Sequence, residues 1–132
     1  MSIEDHAALL ALSRIYFDAL YQGDAAQFAA VFHPDAYLHS NGGNAYVHMG
    51  LSAYLEIVRN RAAPASRGEA RKDEVLGISF LSPTLAVLTT REVFLPKLFT
   101  DVLVVMKFGN DWKIVSKTWD FTLISPKQGA GE

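Results

Sequence analysis

The chain has 132 residues, a net charge of -2, no cysteine, and hydrophobic residues at half of its positions. This suits one domain around one core, folding as an ordinary soluble globule. The charge gives no support for binding nucleic acid or a membrane surface, and the lack of cysteine excludes disulfides and thiolate chemistry. No apolar run is long enough to span a bilayer, and the N-terminus lacks the basic-then-apolar pattern of a secretory signal, so a cytoplasmic protein is expected.

From about Glu4 to Gln22, Leu9, Leu12, Tyr16 and Leu20 recur at helical spacing on one stripe. Arg14, Asp18 and Gln22 fall on another, where Arg14 and Asp18 are placed to pair. The spacing predicts an amphipathic helix that buries one face. Gly23 supplies a left-handed stop, and Asp24 caps a short second helix, with Gln27 at the reciprocal position of a capping box. Phe28, Val31 and Phe32 form its apolar face, and Pro34 ends it. Ala36–Asn41 and Ala45–Met49 flank the turn material Gly42–Asn44 and read as a hairpin. With a two-residue turn at Gly43–Asn44, His39 and His48 stand opposite each other on the face away from Leu38, Val47 and Met49.

Ser52 is placed to cap a third helix over roughly 53–61, with Tyr54, Ile57, Val58 and Arg61 on one face. Residues 62–74 read as a polar, mobile loop. Four long runs follow, Val75–Ser82, Thr84–Leu95, Leu98–Phe108 and Trp112–Ile124. The first two breaks are too short for crossover helices, which predicts an antiparallel meander. The domain is expected over residues 1–125, with 126–132 as a disordered tail.

The strands are apolar on both faces in places, notably VLVVM at 102–106. Two explanations are open: a homodimer through the outer face of the sheet, or β-propensity alone. Arg91 and Glu92 are adjacent on one strand and point to opposite faces, so one of them faces the interior. There it is either a ligand contact, for which Arg91 is the candidate, or half of an internal ion pair. Lys117 and Trp119 share a face that lines either the interior or the dimer contact. The choice depends on whether the turn at Gly109–Asn110 has two residues or three. No phosphate loop, dinucleotide fingerprint or Ser/His/Asp motif is present, so no cofactor is expected. The His39–His48 pair lacks a third ligand at motif spacing, and no metal is expected.

The order of elements, with GDAAQFAAVFHPDAYL at 23–38, resembles the nuclear transport factor two-like superfamily, which includes ketosteroid isomerase. Within it the chain is similar to a group named for lumazine binding, through FHPDA, PASRG at 64–68, FTD at 99–101 and WKIV-x-K at 112–117. The resemblance implies an α+β cone: a strongly bent antiparallel sheet covered on one face by three N-terminal helices, enclosing an apolar small-molecule pocket. It also places Tyr16, eight residues before Asp24, where the isomerases keep an oxyanion-hole tyrosine. Ser40 stands where they keep their general base, and serine without an adjacent base cannot take a carbon-bound proton. Asp101 lies two residues from the position of their second acid and is either desolvated or ion-paired to Arg91 or Lys117.

Two functions are carried forward. One is a non-catalytic protein binding a small, uncharged or weakly anionic, partly aromatic or alicyclic molecule through Leu38, Ser40, Tyr54, Arg91, Phe94, Lys117 and Trp119. The other is a lyase, isomerase or cyclase with Asp101 as acid or base and Tyr16 as hydrogen-bond donor.

Overall fold

A computed structural model describes residues 2–125. The expected tail at 126–132 lies outside the described residues.

Helix α1 runs Ile3–Gln22, with the Ser2 side chain accepting from the Asp5 amide and Gly23 closing it at φ 69°. Helix α2, Ala25–Val31, is capped by Asp24, whose carboxylate accepts from the amides of Ala26 and Gln27. Strand β1 is Phe32–Ser40, β2 is Val47–Gly50 and helix α3 is Leu51–Asn60. The expected cap at Ser52 is not made; α3 starts two residues earlier from Gly50, without a side-chain cap. A short 3-10 turn at Ala65–Arg67 and the start of strand β3, Asp73–Ser82, take up part of what reads in sequence as a loop. Strands β4 (Leu85–Phe94), β5 (Lys97–Phe108) and β6 (Asp111–Leu123) complete the chain.

The sheet is six-stranded, in the order β2-β1-β6-β5-β4-β3. Strands β3 to β6 form the expected antiparallel meander. The β1–β6 junction is parallel, so the sheet as a whole is mixed. That junction follows from topology: α3 and the long β3–β6 meander separate β1 from β6, leaving room for a parallel return. Register shifts in the β1–β6, β3–β4 and β5–β6 pairs mark bulges, which bend a sheet and let it wrap the helices.

The core lies between the helices and the inner face of this bent sheet. Leu9, Phe28, Leu38, Leu88, Leu103, Val105 and Ile114 are fully enclosed there. Tyr16, Phe28, Phe32 and Tyr54 form a connected set of tilted and edge-on ring contacts that ties α1, α2, β1 and α3 together. Asp18 pairs with Arg71 at 2.7 Å rather than with Arg14, because the chain before β3 returns beside α1 and brings a guanidinium there. His39 and His48 are register partners on β1 and β2, and their rings stack 4.8 Å apart. Among the described residues, no group of three or more His, Cys, Asp or Glu side chains is arranged to hold a metal, and no helix is long and apolar enough to cross a membrane.

Candidate functional site

The inner faces of β4, β5 and β6 change character halfway along. Toward one end they carry Leu88, Leu103 and Ile114; toward the other they carry Thr90, Glu92 and Asp101, also buried, with the buried Lys117 at the boundary opposite Leu103. On β4 the strand period brings Thr90, Glu92 and Phe94 to the inside and Arg91 to the outside. Arg91 therefore meets Glu74 at 3.8 Å on the outer side, and its neighbour Glu92 is the charged group that enters the interior.

The inward placement of Lys117 needs more than the turn. Phe108 pairs with Asp111, so Gly109–Asn110 is a two-residue turn, with Gly109 at φ 64°. Continued without interruption, that register would put Ser116 opposite Leu103 and turn Lys117 outward. Instead Val105 pairs with Ile114 while Val104 pairs with Ser116, leaving Val115 as an extra residue. This bulge moves Lys117 opposite Leu103 and Trp119 opposite Asp101, on the inner face.

Within the cluster, the Tyr16 hydroxyl donates a very short hydrogen bond to Asp101 Oδ2. The Lys117 ammonium lies 4.0 Å from the same oxygen and donates to the Tyr54 hydroxyl at 3.0 Å. It also sits over the rings of Tyr16, Tyr54 and Trp119 at 5.3, 4.9 and 5.4 Å, a cation–π environment that favours the charged form. Burial pushes Lys117 toward neutrality, but Tyr54 and Asp101 outweigh it and leave its pKa above the ordinary lysine value. Glu92 is displaced the opposite way chemically. Burial first, then the Asp101 charge, hold its pKa well above the usual glutamate range. Burial likewise pushes the Tyr16 phenol well above its ordinary value, with Asp101 adding to it.

Next to this cluster lies a chamber of about 60 Å³, lined by Leu20, Tyr54, Arg61, Glu92, Phe94, Phe99, Lys117 and Trp119. Arg61, at the end of α3, spreads over Phe94 at 5.1 Å, and its Nε is buried with no hydrogen-bond partner. Of the residues expected to contact a ligand, Tyr54, Phe94, Lys117 and Trp119 border the chamber. Leu38 is instead fully enclosed in the core, and the Ser40 hydroxyl accepts from the Gly42 amide. Tyr16 and Asp101 both point inward, yet each is fully enclosed and they bond to each other. Asp101 meets Lys117, not Arg91.

Leu20, Glu92, Arg61 and Phe99 complete the lining. Part of their signal was present in sequence: Arg61 is seven residues from Tyr54 on one helix face, and Glu92 falls on the strand face of Thr90 and Phe94. Phe99 carried no distinguishing signal.

The sequence profile of a family described as "Putative lumazine-binding" matches residues 4–120. The chain belongs to this family. None of the curated proteins matches the chain. Among solved structures, an NTF-2-like protein of unknown function from Silicibacter pomeroyi is 24% identical, with a TM-score of 0.81 over 92% of this chain and 100% of that one. A ketosteroid isomerase-like protein from Erwinia carotovora atroseptica is 14% identical, with a TM-score of 0.70 over 91% and 98% of the two chains. A cystatin-like fold protein from Burkholderia xenovorans is 18% identical, with a TM-score of 0.69 over 90% and 92%. At these identities the likeness is one of fold: the NTF2-like, cystatin-like α+β architecture.

Proposed function

We propose that the protein binds a small, planar, singly charged organic anion, with one ring, in the chamber beside Lys117. The observation that carries this reading is the charge balance of the lining. Lys117 and Arg61 supply two cations; Asp101, behind the chamber wall, compensates one, and Glu92 in the lining, pushed toward its neutral form by burial, does not compensate the other. Arg61 Nε is a buried donor still without an acceptor, and a buried donor left unpaired costs about 1–3 kcal/mol, so a ligand oxygen there is favourable. Phe94, Phe99 and Trp119 offer flat apolar walls, and about 60 Å³, below the ~150 Å³ that holds a benzene ring, makes one ring the upper limit and requires the lining side chains to move as it enters.

Binding without turnover is the reading favoured. Tyr16 and Asp101, the candidate donor and acid, satisfy each other rather than converging on the chamber, and Ser40 is engaged with backbone.

The test compares benzoate with the isosteric but uncharged benzamide, following the Trp119 indole and the Tyr54–Arg61 amides by NMR. Saturable shifts with benzoate and weaker ones with benzamide are expected. No response to either compound, or a preference for benzamide, would refute an anion site.

The outer sheet face is the surface we assign to a homodimer. Val102 and Met106 are exposed there on β5, with Leu76 exposed on β3. Light scattering of the purified chain is expected to give twice the monomer mass, and Val102→Lys to reduce it to one.

A further inference from the structure

Two buried carboxyl groups, Glu92 on β4 and Asp101 on β5, sit diagonally on adjacent strands with a single ammonium nearby. Asp101 Oδ2 is occupied by the Tyr16 hydroxyl, and Asp101 Oδ1 is buried with no donor from any fixed hydrogen. Glu92 Oε2 accepts from the Thr90 hydroxyl at 3.3 Å. Asp101 stands opposite Thr90 and Glu92 opposite Phe99, so the two carboxyl side chains are diagonal neighbours on the inner face of adjacent strands, a separation long side chains span. Two ionised carboxylates cannot hydrogen-bond, and like charges packed together out of water are strongly unfavourable. One proton on Glu92 resolves both problems at once, because it removes the repulsion and gives Asp101 Oδ1 its donor. Glu92 also borders the chamber, whereas Asp101 does not.

We propose that Glu92 and Asp101 hold one proton between them, and that Glu92 turns this proton toward an oxygen of the anion seated on Lys117 and Arg61. The proposal deepens the anion-site reading and rests on it for its ligand. No covalent step is involved; the proton remains on Glu92 and the hydrogen bond changes acceptor. The site then discriminates by protonation: with Glu92 neutral it offers an acid O–H to the ligand, and with Glu92 ionised it repels the ligand.

The groups facing Glu92 are consistent with this. Asp101 on β5 and Lys117 on β6 act in opposite directions on it. Asp73 is its direct register partner on β3 but is tied to Arg71 at 2.7 Å. Arg71 and Lys72 border a neighbouring crevice with Glu92, Arg71 being committed to Asp18 and Asp73. Tyr54 and Arg61 close the α3 side, and Tyr16 on α1 is bonded to Asp101.

The experiment has two parts on the whole chain. Infrared difference spectroscopy with labelled glutamate reads the ligand-free protein at about pH 7. A protonated-glutamate band that vanishes in Glu92→Gln is expected, and a spectrum with no such band would overturn the placing of the pair's proton on Glu92. Benzoate is then titrated from about pH 5 to about pH 9. Wild-type affinity should fall about tenfold per pH unit once the pair loses its proton, while Glu92→Gln, which keeps an amide donor, should give a flat profile. A flat wild-type profile, or the same step in Glu92→Gln, would overturn the donor role. If benzoate binds at no pH while the protonated band is present, the anion site and its donor fall together and the proton pair alone survives.

Discussion

The two halves of the inner sheet face share the same three strands and the same depth of burial, yet are built from opposite chemistry. Leu88, Leu103 and Ile114 are fully enclosed at one end; Thr90 and Asp101 are fully enclosed at the other, with Glu92 and Lys117 nearly so. The apolar end needs no explanation beyond the hydrophobic effect. The polar end does, because removing charges from water costs several kcal/mol per ion even after partial compensation, and apolar replacements are often as stable or more so. A charged cluster with an enclosed Asp101, an unpartnered Arg61 donor and an adjacent chamber is what a binding site requires and what a core does not. The comparison separates the part of the molecule that holds it together from the part held in place by it.

Changes at the enclosed positions of either half should be the most damaging. Leu103→Ala removes a fully enclosed side chain and should lower stability by about 3 kcal/mol in denaturant titration while leaving benzoate specificity intact. In the polar half, Lys117→Met strands Asp101 without its cation. A loss of similar size, about 3 kcal/mol, is expected, together with the loss of benzoate binding. The two variants thus differ in ligand response, not in stability. Tyr16→Phe removes the donor to Asp101 Oδ2 and should cost about 2 kcal/mol; a neutral result would mean that the hydroxyl is not needed to hold that carboxylate. The smallest effect is at the margin of the apolar half. There, the hydrogen bonds from Lys107 and Trp112 lower the Asp5 pKa from 3.8 to about 2. A lowered carboxylate pKa contributes stability above the unfolded value that disappears as pH falls through the folded one, so the contribution should fade below about pH 4. Melting temperatures of Asp5→Asn should lack this acid-side decline.

Much of the apolar half was legible in sequence. The stripe through Leu9, Leu12, Tyr16 and Leu20, the Gly23 stop and the Asp24 cap are local features that the structure retains. The polar half was legible only by residue type. Arg91 and Glu92 could be told apart only by the phase of β4 relative to the core, which tertiary packing decides. For Lys117 and Trp119, the alternatives at Gly109–Asn110 covered the turn but not the extra residue at Val115, and it is this bulge that brings both side chains inward. A bulge carries no composition signal in a run such as WKIVSK. The parallel contact between β1 and β6 was hidden for a related reason, since it joins segments at opposite ends of the chain.

Whether the polar half is maintained against stability is tested most directly by Glu92→Gln. A carboxyl whose folded pKa lies above its unfolded value weakens the fold progressively as pH rises past that unfolded value, here near 4.5, until the folded group also ionises. Unfolding free energies of wild type and Glu92→Gln should therefore agree at about pH 4 and diverge in favour of the glutamine variant by about 1.4 kcal/mol per pH unit above the unfolded value. Parallel curves, or a wild type that gains on the variant as pH rises, would contradict the buried neutral acid and with it the contrast between the two halves.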